Sequence, residues 1–167
     1  MSELFPFPLE VTFWNEMSDS ERDFFSFESE YLPIPLAHAD QICRLNNSSS
    51  KLVWKWLGAA LPAHWPEAEA QFPNQLVFNL ESHNWNSDEG MQAVRQWLHD
   101  RNIPYSESMF LMYEPGKVIQ LPWKLFVKYW DALTWSVGAC AIVMDHKCKW
   151  ALCFHHEDVI IFGTHCS

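Results

Sequence analysis

The chain has 167 residues, 49% of them hydrophobic and 16% aromatic, and a formal net charge of −10. That length suits one domain burying about 70% of its unfolded surface, with ample apolar material for a core. The charge disfavours nucleic acid and anionic membrane and favours a basic protein as partner, and no segment approaches the ~20 apolar residues of a membrane span.

The opening Met-Ser-Glu-Leu-Phe-Pro-Phe-Pro has neither the basic nor the apolar region of a secretory leader. Five cysteines, an odd number in a chain too large to need staples, read as reduced thiols. A soluble cytoplasmic protein is expected.

Residues 1–74 read mostly as helix and loop. Ser18 or Ser20 caps a short helix with acids in its first turn. Leu36–Leu45 suits a second helix. Ser50 suits the cap of a third running to Leu61, with Leu52, Trp56 and Ala59–Ala60 on one side and Pro62 as its stop. Residues 63–73 read as loop.

Residues 75–167 carry the predicted sheet. Gln75–Glu81 alternates as a strand. Ser87 caps a helix whose Met91, Val94, Trp97, Leu98 and Arg101 recur at helical spacing, and Ser108–Tyr113 is the next strand. Strand, helix, strand at this spacing predicts a right-handed β-α-β crossover. Glu114-Pro115-Gly116-Lys117 fits a type II turn. Pro122 opens a helix over Trp123–Leu133. Apolar residues cover most of its circumference and leave Lys124, Lys128 and Asp131 as a narrow polar stripe, so burial on more than one face is expected.

The tail reads as a meander of Ala139–Met144, Lys149–His155 and Val159–Phe162. In its last hairpin Trp150, Leu152, Phe154, Ile160 and Phe162 share one face, and Ala151, Cys153, Val159 and Ile161 share the other. That is the pattern of a sheet covered on both sides. The expected fold is a single α+β domain: N-terminal helices, a β-α-β unit, a buried Trp-rich helix and a C-terminal antiparallel meander in one mixed sheet.

Cys148, Cys153, His155, His156, His165 and Cys166 include zinc-ligating side-chain types. Alternation along strands divides them. With a three-residue turn at His156–Asp158, Cys153 opposes Ile161 and His165 lies on the order of 13 Å along the sheet from Cys153. Core cysteines are therefore the better reading, and no metal or cofactor is expected. No nucleophile signature surrounds Cys43, Cys140 or Cys153, and the five glycines are too scattered for a phosphate loop. Ten Trp, twelve Phe and four Tyr mean either a core that uses Trp in place of Leu or a lined groove. A metal protein or enzyme built on the Cys/His cluster, and a small-ligand binder with a Trp-lined groove, are the competing classes.

Charge is unevenly placed. Residues 1–50 hold nine acids (Glu3, Glu10, Glu16, Asp19, Glu21, Asp23, Glu28, Glu30 and Asp40) against Arg22 and Arg44, whereas residues 118–167 hold four of each sign. Within the first segment Asp19, Glu21, Asp23, Glu28 and Glu30 surround Phe24, Phe25 and Phe27. The plain reading is an amphipathic helix with a solvated face. The functional reading is a docking surface whose charge steers a cationic protein while aromatic anchors hold it. The turn His155-His156-Glu157-Asp158 is a secondary candidate, since histidines beside carboxylates respond to pH near neutrality.

The strand ending Tyr113-Glu114, the helix carrying Trp123, Phe126, Tyr129, Trp130 and Asp131, the Ala-Ile-Val strand and the Trp150–Asp158 hairpin with Ile161-Phe162-Gly163 resemble small acidic bacterial proteins. Some of these look like immunity proteins that neutralise polymorphic or contact-dependent toxins. The resemblance spans Met109–Gly163. It implies a non-enzymatic protein-binding module blocking a basic toxin domain, and it carries no functional residues across.

Overall fold

The computed structural model describes residues 8–23, 34–58, 74–84, 86–114, 116–134, 141–147, 149–155 and 158–164. Its strands form one eight-stranded sheet. They are ordered β1 (Val11–Phe13), β2 (Cys43–Leu45), β5 (Lys117–Pro122), β4 (Ser108–Glu114), β6 (Ala141–Asp145), β7 (Trp150–His155), β8 (Val159–Thr164) and β3 (Asn74–Asn79). With helices packed on it, this is the α+β class expected. Every ladder is antiparallel, so the sheet is not mixed. The expected strand-helix-strand unit is nonetheless present. β3 and β4 run in the same direction on either side of α4 (Asp88–His99), but three strands stand between them and no parallel ladder forms.

The two faces are packed differently. On one, Met109, Leu111, Ile119, Leu121, Val143, Leu152, Phe154, Ile160 and Phe162 meet Val94 and Leu98 of α4 and the apolar residues of α5 (Trp123–Thr134). Ser87 opens α4 by accepting the Gly90 N–H at 3.0 Å, as its sequence position predicts. A Cβ on Gly90 would fall 2.1 Å from the Asn84 carbonyl oxygen, so only glycine allows this entry into the helix. In α5, Trp123, Leu125, Phe126, Val127, Tyr129, Trp130, Ala132 and Leu133 are all buried while Lys124 and Lys128 stay exposed, the stripe the sequence implied. The helix is interrupted at Tyr129 (φ −109°, ψ 22°). There the Lys128 carbonyl accepts a hydrogen bond from Arg95 of α4 at 3.2 Å, and the Tyr129 hydroxyl lies 2.7 Å from His38 Nδ1.

On the other face Leu45, Phe110, Met112, Val118, Met144, Ala151 and Cys153 pack with Val53 and Trp54 of α3 (Asn47–Gly58). The register of the last hairpin is the expected one, Cys153 opposite Ile161 and Leu152 opposite Phe162. β7 accordingly lies inside the sheet between β6 and β8, with Trp150 through Phe154 buried.

Several expectations are corrected. Residues 1–74 are not only helix and loop, because β1 and β2 extend the sheet. The predicted helix Leu36–Leu45 stops as α2 (Leu36–Ala39), and the chain then extends into β2, where Cys43 and Leu45 face inward from one side and pair with β1 and β5. Helix α3 begins before Ser50. Asn46 Oδ1 caps it by accepting the Ser49 N–H at 2.7 Å, and Ser50 is instead buried. Its hydroxyl donates to the Leu45 carbonyl (3.2 Å) and accepts the Val118 N–H (3.3 Å), tying α3 to β2 and β5. Val53 rather than Leu52 faces the core.

Strand β5 had no counterpart in the sequence reading. It follows β4 through a tight turn in which Glu114 pairs with Lys117. Gly116 there lies outside the positive-φ region that a type II turn requires. A Cβ at this position would approach Asn47 Oδ1 to 2.9 Å, so a larger residue would require only that side chain to shift. No helix among the described residues is long and apolar enough to cross a membrane.

Candidate docking surface at the β1 edge

The acid-rich segment builds the β1 end of the sheet. After β1 a single 3₁₀ turn, Trp14–Glu16, leads into α1 (Asp19–Asp23). Ser18-Asp19-Ser20-Glu21 is a capping box: the Ser18 hydroxyl accepts the Glu21 N–H (3.3 Å) and the Glu21 carboxylate accepts the Ser18 N–H (2.8 Å). The predicted cap at Ser18 is therefore the one used.

Two sets of contacts hold this small helix, one to the 3₁₀ turn and one to β2. The Arg22 guanidinium donates to the carbonyls of Trp14 (3.1 Å) and Asn15 (3.3 Å), and its charge lies 5.7 Å from the centre of the Trp14 ring. Glu21 Oε1 takes a hydrogen bond from Arg44 of β2 at 3.4 Å. The Ser18 N–H and hydroxyl, and then Arg44, hold the Glu21 carboxyl below its ordinary pKa. Glu21 is thus an anchor of the platform. Of the other candidate acids, Asp19 is fully exposed and only 3.9 Å from Arg22, a loose surface contact of little energetic weight. Asp23 closes α1. Phe24, Phe25, Phe27, Glu28 and Glu30 lie outside the described residues.

Around this platform the exposed groups are Glu10, Glu16 and Asp19, with Asp40 after α2. Glu10 accepts the Asn46 amide, and Glu16 accepts the Phe13 N–H at 3.3 Å. Phe13 itself keeps 45% of its surface exposed and Leu36 keeps 69%. Neither was singled out from the sequence. A signal for Phe13 was present, since it ends an alternating Val-Thr-Phe strand between Glu10 and Glu16. The next cations along the chain, Lys51 and Lys55, are exposed on α3.

The other candidates lie elsewhere. β7 ends at His155, paired with Val159, and the turn returns through Asp158 in a left-handed conformation (φ 58°) whose carbonyl accepts the Leu80 N–H at 2.8 Å. His156 and Glu157 are outside the described residues, as are Cys140, Cys148, His165 and Cys166. Cys153 is buried opposite Ile161. Burial pushes the Cys43 thiol up to about 11, so it stays protonated and poorly nucleophilic at neutral pH. The tryptophans whose burial is described serve the core or its margin: Trp123, Trp130 and Trp150 are buried, and Trp14, Trp54 and Trp97 are partly buried. Compared with protein-family models, curated proteins and solved structures, the chain matches none.

Proposed function

We propose that this protein is a cytoplasmic, non-enzymatic, acidic protein-binding module of the bacterial immunity type, which neutralises a basic toxin domain by occlusion. The observation that supports the reading most is the platform at the β1 edge. Arg22 fixes α1 to the 3₁₀ turn and Glu21 fixes it to β2, leaving fully exposed Asp19, and Glu16 on the backbone N–H of exposed Phe13, in the same short segment. Carboxylates so placed steer a cationic surface into contact, and an exposed aromatic supplies the apolar anchor that holds it.

Affinity capture from an extract of the source cell tests this. The bait is the full chain, alongside the variant combining Phe13→Ala, Glu16→Gln and Asp19→Asn. The expected result is a basic protein retained by the wild type at low salt and released as salt rises, with little retained by the variant. Equal retention by both baits, or a retained protein without net positive charge, would contradict the proposal.

A further inference from the structure

The two edges of the sheet are finished differently. β1 is three residues long and flanked by Glu10 and Glu16, a short, charged edge of the kind that discourages strand addition. β3 is six residues long, Asn-Gln-Leu-Val-Phe-Asn, without a charge or a proline, and its ladder to β8 runs from Asn74 to Asn79 without a bulge. Among the described residues no strand pairs with its outer side. Leu76 (52% exposed) and Val77 (60%) project from opposite faces, so both sides of this edge present apolar surface.

We propose that the β3 edge pairs with β3 of a second copy, joining two sheets into one across a two-fold axis. Facing residues in an antiparallel ladder point to the same side of the sheet, so the axis must pass through a residue pair. An axis at Val77 sets Val77 against Val77, Leu76 against Phe78 and Gln75 against Asn79 of the second copy. Apolar then meets apolar and amide meets amide. An axis at Leu76 would instead oppose Gln75 to Val77 and Asn74 to Phe78, which makes it the poorer register.

Charge also permits a second copy at this edge. The acid-rich β1 platform is seven inter-strand steps away, roughly 34 Å at about 4.8 Å per step. The β1 platforms of two chains joined here are therefore separated by well beyond the screening length of about 8 Å at physiological salt. Glu81 and Asp158, beyond the C-terminal end of β3, would face the Asn74 end of the second copy rather than each other. The β1 platform stays free on both copies, so the dimer presents two docking surfaces.

Sedimentation velocity of the full chain over a wide concentration range tests the proposal. The weight-average mass should climb from 19.6 kDa toward twice that value. Val77→Lys and Leu76→Lys change exposed side chains, should keep the melting temperature that the wild type shows at dilute, monomeric concentrations, and should stay monomeric throughout. Hydrogen exchange locates the contact without any substitution: amides of residues 74–79 should gain protection in concentrated samples. A wild type that remains at 19.6 kDa overturns the proposal. So does a dimer that survives both lysine variants, or one whose concentration-dependent protection falls outside β3.

Discussion

Between Met109 and Phe162 the strands are buried from both sides, and even Asp145 and His146 are enclosed, whereas Val11–Leu45 adds two three-residue strands bordered by exposed carboxylates. The first region is held by apolar packing. The second is held by a few directed contacts: the Ser18–Glu21 box, Arg22 on two carbonyls, Arg44 on Glu21, and Ser50 bridging Leu45 and Val118. Under the proposed function, the difference means that stability and recognition are separated along the chain. A substitution at the surface of the amino-terminal platform should alter binding and spare the fold, and one in the carboxy-terminal core should do the reverse.

The strongest way to break this contrast is Trp123→Ala. Trp123 is fully buried, stacks on Phe126 at 5.5 Å and meets Trp150 edge-on at 5.4 Å. Its loss should cost about 3–5 kcal/mol, read as a lowered urea midpoint. Trp123→Phe should cost clearly less, because among the described residues the indole N–H has no hydrogen-bond partner to lose.

Acid should weaken the same region. His146 is buried against Phe110 (ring centres 4.1 Å apart), and desolvation pushes its pKa down to about 4 from the ordinary 6.5. The unfolded chain then binds a proton that the folded chain refuses, so stability falls as pH drops from 6.5 to about 4, on the order of 1.4 kcal/mol per pH unit at most. Desolvation raises the neighbouring Asp145 and Glu107 instead. Their folded forms take up protons first, which favours the fold as pH falls through their raised values and partly offsets the histidine. In urea melts across this range, His146→Phe should remove the loss that begins at the upper end. An unchanged profile would assign the loss to other groups.

Smaller effects belong to single directed contacts and to the surface. Ser87→Ala removes the cap of α4 and should cost about 1 kcal/mol. Glu16→Gln with Asp19→Asn should shift stability by no more than about 0.5 kcal/mol. The same pair should slow association with the captured partner about tenfold at low salt, as loss of electrostatic steering does. A large stability loss from these two would mean that the platform is structural rather than a docking surface.

Where one physical signal dominated, the sequence was readable. The alternation in residues 150–162 gave the hairpin register, the Ser87 cap and 3.6-residue spacing gave α4, and the near-continuous apolar circumference gave the buried helix α5. The short strands were lost because three residues such as Cys43–Leu45 carry no period that separates strand from helix. β5 was lost because Val118-Ile119-Gln120-Leu121 is a brief apolar run that only its pairing with β4 defines. Ser50 looked like a cap because a buried hydroxyl bridging two strands has the same local sequence as one at a helix start. The acidic platform was legible as charge but not as geometry. That Glu21 anchors while Asp19 is exposed depends on Arg44, twenty-three positions away.

The central claim is that the β1 platform attracts a basic partner through its exposed carboxylates. It is tested most directly by the association rate with the captured partner, measured as ionic strength rises from about 0.1 M to about 1 M and the screening length shrinks from about 10 Å to about 3 Å. The account predicts a steep fall in rate for the wild type, a shallower fall for the Glu16→Gln, Asp19→Asn pair, and convergence of the two at high salt. A rate that is insensitive to salt, or identical in the two proteins at low salt, would contradict it.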